Sequence, residues 1–164
     1  MLTLEKIVVI KYIELSYTLE KTVASFYLKL SEAFKEDAEF WWRLCLEEQN
    51  HASIFKSFMD GLLPVSLLPE ELLDPDLGKI RAAINMLEEK LNNLDASPMS
   101  KHDACEFAIS VEETAGEFFL QKAADEASDS DGVLIIKKLL HDDKDHAARI
   151  RKFADTIAQV PVAV

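Results

Sequence analysis

Four stretches of this chain place apolar residues every three to four positions, and an acid interrupts each stripe near its middle. The first reads Val9, Ile13, Tyr17, Glu20, Val23, Tyr27, Leu30, Phe34, and the second Trp41, Leu44, Glu48, His51, Phe55, Phe58. The third reads Cys105, Ala108, Glu112, Ala115, Phe119, Lys122, and the fourth Ile136, Leu139, Asp143, His146, Ile150, Phe153, Ile157. A period near 3.6 makes each stripe one face of an α-helix. Packing four such faces together carries their acids into a shared interior.

The helix breakers set the boundaries. Only 4 glycines and 5 prolines occur in 164 residues, and Gly61, Pro64, Pro69, Pro75 and Gly78 crowd into residues 61–78. The patterning predicts helix A over about residues 3–34, with Thr3 as N-cap, and helix B over about 36–60, stopped by Gly61. A crossover at 61–99 carries a shorter helix at about 76–94. Helix C follows at about 100–127, opened by Ser100 with Asp103 three positions on. After a turn at "SDSDG", helix D covers about 131–158. No segment reads as a strand, so the fold class is all-α. Two antiparallel helical hairpins joined by a long crossover make a four-helix bundle, expected here as one domain over 1–164. The halves resemble each other. "LEKTVASFY" (Leu19 to Tyr27) matches "VEETAGEFF" (Val111 to Phe119) at an offset of 92, and "LEEQNHA" (Leu46 to Ala52) matches "HDDKDHA" (His141 to Ala147) at an offset of 95. The pattern is that of a duplicated hairpin.

Charge removes whole classes of partner. A net charge of −12 repels nucleic acid and anionic membrane, so neither is expected to bind. Two cysteines, Cys45 and Cys105, form no CxxC pair, which argues against a disulfide scaffold or zinc ribbon. Glu5, Lys6 and Lys11 punctuate the first apolar run, unlike a signal peptide, and no run approaches a membrane span. A cytoplasmic location is the expectation.

The interior acids carry the chemistry. Glu48 and His51, like Asp143 and His146, stand three residues apart and share a helix face. Four carboxylates and two imidazoles therefore converge at one depth. Each unpaired buried carboxylate costs several kcal/mol, and four would consume most of a domain stability of about 5–15 kcal/mol. The stripe residues one turn away are apolar or neutral. Two divalent metal ions would balance the four acids, and mixed carboxylate and imidazole donors suit iron, as well as manganese or zinc.

One acid from each of two helices and an acid-x-x-His from each of the other two is a known di-metal arrangement of bundle cores. "LEKTVASFY", "LEEQNHA", "AISVEETAGEFF" and "LLHDDKDHA" resemble, in order, the four helix motifs of ferritin-like di-iron proteins of the rubrerythrin type. The resemblance covers roughly residues 5–157. It implies a non-haem centre of two iron ions, with Glu20 and Glu112 as terminal ligands, Glu48 and Asp143 bridging, and His51 and His146 each on one ion. It also implies an oxidoreductase reacting with hydrogen peroxide or dioxygen. Three departures stand out. Asp143 occupies a position where the family usually has glutamate. Ala115 replaces a further third-helix acid, which removes a ligand switch. The chain has no paired CxxC motifs of a rubredoxin domain, so a separate protein would have to donate electrons.

Two other functions remain open from the residues: iron sequestration without turnover, and a metal-free helical interaction module. Off the stripes, Glu47, Glu113, Asp142 and Asp145 are expected to be solvated, and His102 and His141 to lie on the surface. Tyr17 and Tyr27 read as core packing, with a hydrogen bond to a ligand carboxylate as the alternative. Trp41 reads as packing and Cys45 as a small buried filler. Val8, Tyr12, Leu15 and Leu19 lie off the ligand stripe of helix A. Either the crossover helix or a second subunit, as in a homodimer, would cover them.

Overall fold

The structure, a computed structural model, describes residues 4–64, 76–119 and 131–158, excluding the side chains at 4–6, 115–119, 131–133, 135–137 and 140. Five α-helices account for almost all of the described chain: α1 (Leu4–Ala33), α2 (Ala38–Met59), α3 (Leu77–Asn93), α4 (Lys101–Phe119) and α5 (Asp131–Ala158). The described residues include no strand. The architecture is the all-α, ferritin-like helical bundle expected from the four stripes. The Thr3 cap, Pro69, Pro75, the extension of helix C towards Ala127 and the first three residues of the "SDSDG" turn, Ser128 to Ser130, fall outside the described residues, while Asp131 and Gly132 already belong to α5.

Local chemistry explains the helix ends. Phe34 leaves the helical region at φ −106°, ψ 74°, and Lys35–Asp37 form a single 3-10 turn. Helix α2 therefore starts at Ala38, slightly later than its periodicity indicated. At its other end Gly61 adopts φ 73°. Its amide donates to the Phe58 carbonyl at 3.2 Å, and the Leu62 amide to that of Ser57 at 2.9 Å. This paired capping of the last carbonyls needs a left-handed residue, which glycine supplies without a Cβ penalty. Asp76 caps α3 by accepting the Lys79 amide at 3.1 Å. Ser100 caps α4 by accepting the Asp103 amide at 3.1 Å, and its hydroxyl donates to the Asp103 carboxylate at 2.7 Å.

Helices α1 and α2 pack as one hairpin and α4 and α5 as the other, while α3 lies along α1 and also touches α4. On α3, Ile80, Ala83, Ile84 and Leu87 are buried. Tyr12, Leu15 and Leu19 of α1 are buried within the single chain, so that part of the flank is covered without a second subunit. Rings close the bundle on both sides of the interior acids. Tyr12 meets Phe55 edge-on at 6.3 Å on one side. On the other, Tyr27 lies 5.8 Å from Trp41, and Phe153 stacks on Phe40 at 4.1 Å. Trp41 is thus the packing residue expected. No described helix is long and apolar enough to cross a membrane.

If α3 is an integral wall, truncating one of its two fully buried side chains will unfold the whole bundle more easily. Leu87→Ala should cost about 2–5 kcal/mol, seen as a lower urea midpoint. An unchanged midpoint would mean that α3 packs only loosely.

Candidate metal centre

All six sequence-predicted residues meet between the two aromatic layers. Glu48, His51, Glu112, Asp143 and His146 are buried, and the Glu20 side chain is 13% exposed, so none is turned out to solvent. Helix α1 contributes Glu20, α2 Glu48 and His51, α4 Glu112, and α5 Asp143 and His146.

Both histidines turn Nδ1 towards the acids. His51 Nδ1 lies 3.2 Å from Glu48 Oε2, 3.7 Å from Glu20 Oε2 and 3.8 Å from Asp143 Oδ1. His146 Nδ1 lies 2.6 Å from Glu48 Oε1 and 3.6 Å from Glu112 Oε2. The imidazoles face each other at 5.6 Å with planes 20° apart. Two sets of donor atoms, Glu20 with Glu48 and His51, and Glu48 with Asp143 and His146, each converge within 4.8 Å and could hold a metal ion. Glu48 belongs to both. Asp143, although shorter than glutamate, still reaches its set.

The donors fit such an ion. Glu48 Oε1 and His146 Nδ1 are buried, yet neither makes a hydrogen bond of acceptable geometry despite their close approach. Two buried donor atoms that close to 2.6 Å inside a ring of further acids stand where a shared cation would need them. The nearby cations go elsewhere: Lys138 pairs with Asp142, and Arg149 with Glu47 and Asp145.

Ionisation in the metal-free protein follows from crowding. Burial, reinforced by the charge of Glu48, raises the Glu20 and Glu112 carboxyls. Burial and the charges of Glu112 and Glu48 raise Asp143. Burial acts the same way on Glu48, but His146 and His51 reverse the shift and hold it below the usual range. Burial would lower the histidines. Their carboxylate neighbours, Glu20 and Glu48 for His51 and Glu112 and Glu48 for His146, push both up to about 11.

Two expectations are corrected at the edge of the cluster. Glu47 and Asp142 are not simply solvated. His146 Nε2 lies 2.7 Å from Glu47 Oε2, and His51 Nε2 lies 3.4 Å from Asp142 Oδ2. Each hairpin thus supplies an outer carboxylate to the histidine of the other, which fixes the ring and its tautomer. The signal was present in the doubled acids "EE" and "DD", repeated at the same offset, but a helical wheel alone puts them off the buried face. Tyr27 is also more than packing, because its hydroxyl donates a hydrogen bond to Glu112 Oε1. Burial and the Glu112 charge raise its phenol well above the usual range, which keeps it a donor. Asp145 and Glu113 are about half exposed, pairing with Arg149 and Arg151. His102 and His141 are on the surface, and Cys45 is buried, all three as expected. The Ala115 side chain lies outside the described residues.

A helical bundle whose core gathers carboxylates around two histidines defines a ferritin-like, metal-binding class. The rubrerythrin family model matches residues 11–154, a span that includes all six clustered residues, and the chain belongs to the rubrerythrin family. No curated protein and no solved structure matches the chain.

Metal ligands bind in their deprotonated forms. His51 and His146, pushed up to about 11, hold protons near neutrality, so metal uptake must displace them. Affinity for Co2+ or Fe2+ should therefore climb as pH rises between about 6 and 8, with protons released to a weakly buffered indicator. An affinity flat across that range would contradict this ionisation pattern.

Proposed function

We propose that the protein holds two iron ions in this cluster and reduces hydrogen peroxide or dioxygen with electrons from a separate donor protein. Glu20 is assigned to one ion beside His51, Glu112 to the other beside His146, and Glu48 and Asp143 to both. Manganese or zinc would suit the same donors. The observation that carries the reading is the convergence of two carboxylate and imidazole donor sets on one shared, buried residue, Glu48. Membership of the rubrerythrin family supports it.

When bound, the two ions would supply two electrons and an electrophilic seat for the oxidant. The chain's own residues do the rest. Glu48, ionised and common to both donor sets, would be shared by the two ions. Tyr27 orients Glu112 through its hydroxyl. Glu47 and Asp142 hold the imidazoles from outside. The layers of Tyr12 with Phe55, and of Tyr27, Trp41 and Phe153, limit water on either side.

Anaerobic ferrous titration should saturate near two ions per chain, as the paired donor sets require. Added peroxide should then generate the near-ultraviolet absorption of a di-ferric centre. Glu48→Ala removes the donor common to both sets and should abolish uptake of both ions. Failure of the wild-type chain to take up iron would refute the centre. Uptake without repeated turnover in the presence of a reductant would leave sequestration as the function.

A further inference from the structure

The two outer carboxylates are held by different cations. Glu47 Oε2 receives Arg149 Nη1 at 2.7 Å, the same oxygen that His146 Nε2 approaches at 2.7 Å. Arg149 Nη2 reaches Glu47 Oε1 at 3.3 Å, and Nη1 also donates to Asp145 at 3.2 Å. The guanidinium therefore grips both oxygens of Glu47 and braces itself on its own helix. On the other side, Lys138 Nζ meets Asp142 Oδ2 at 2.5 Å, and His51 Nε2 reaches that oxygen only at 3.4 Å. Both cations line a cleft of about 420 Å³ between α2 and α5, at whose floor both imidazoles emerge.

This asymmetry is not part of the duplicated hairpin. At the 95-residue offset that relates the two acid-x-x-His motifs, the counterpart of Arg149 is Ile54. The counterpart of Lys138 is Arg43, which pairs with Glu39 instead. Both outer cations belong to α5.

We propose that Arg149 is a positioning residue that, by clamping Glu47, makes the metal position beside His146 the tighter of the two. This rests on the di-metal reading above. A planar guanidinium fixes a carboxylate in two places, whereas an ammonium on a flexible stem acts as a point charge. A fixed carboxylate in turn fixes the imidazole that donates to it and raises its basicity towards metal. Both cations draw electron density from their carboxylates, so the distances decide: the His146 contact is short and the His51 contact long.

Anaerobic titration of the metal-free chain with Co2+, followed by calorimetry and visible absorption, should resolve two steps. The tighter one should disappear in His146→Ala and persist in His51→Ala. Arg149→Gln should weaken that step by roughly 10–100-fold, leaving the weaker step and the urea midpoint of the metal-free protein unchanged. Arg149→Lys keeps the charge without the fork and should restore only part of the affinity. Lys138→Gln should leave the tighter step as it is. The inference is overturned if Arg149→Gln leaves the tighter step unchanged, if it weakens both steps alike, or if that step survives His146→Ala. Should Arg149→Gln not fold, full wild-type affinity in Arg149→Lys would overturn it equally. A wild-type chain that takes up no Co2+ would remove the di-metal reading too, whereas two steps indifferent to Arg149 would remove this inference alone.

Discussion

Everything in this bundle is arranged around a concentration of negative charge that its interior would otherwise reject. Unit charges about 4 Å apart interact by roughly 4 kcal/mol at an effective dielectric constant near 20. Several carboxylates at that spacing cannot all ionise without compensation. In the metal-free protein, protons and two imidazolium rings provide it, which is why Glu20, Glu112 and Asp143 are shifted up while Glu48, between the histidines, is shifted down. A site in which protons do the work of cations is one that metal cations can take over.

Such a cluster needs a rigid frame. The acids and histidines stand on helices locked by apolar and aromatic layers on both sides, with Trp41, Leu44 and Ile150 fully buried. An uninterrupted α-helix cannot shift one residue without moving its neighbours three and four positions away. The ligand register is therefore fixed by the same packing that fixes the fold. The crossover helix α3 adds a further apolar wall against α1. Lys101, at the start of α4, reaches Asp37 at 2.6 Å and so ties one hairpin to the turn of the other.

The two halves repeat the same motifs around the centre, but their surroundings differ. The paired Glu47 and Asp142 exchange their support across the hairpins, each reaching the other half's histidine. Tyr27 has only a phenylalanine as its counterpart, Phe119, at the 92-residue offset, so the hydroxyl that orients Glu112 is not repeated at that position. The outer cations likewise sit on one helix. Two positions built from nearly the same motif thus have different surroundings, which is how one chain can hold two ions in unequal ways.

Sequence alone determined the helices, their antiparallel pairing and the six inward residues, because each depends on a local rule: a 3.6-residue period, the breakers between periods, and the shared face of residues three apart. Even the Ser100 cap could be read this way. Tertiary structure alone decided what Glu47, Asp142 and Tyr27 do, because their partners lie 99, 91 and 85 residues away. A helical wheel records the angle of a side chain on its own helix, but not which neighbouring helix it meets or how far it reaches. The same limit hid the grip of Arg149, 102 residues from Glu47, since an arginine on a half-exposed face looks like any other until the opposing helix is in place.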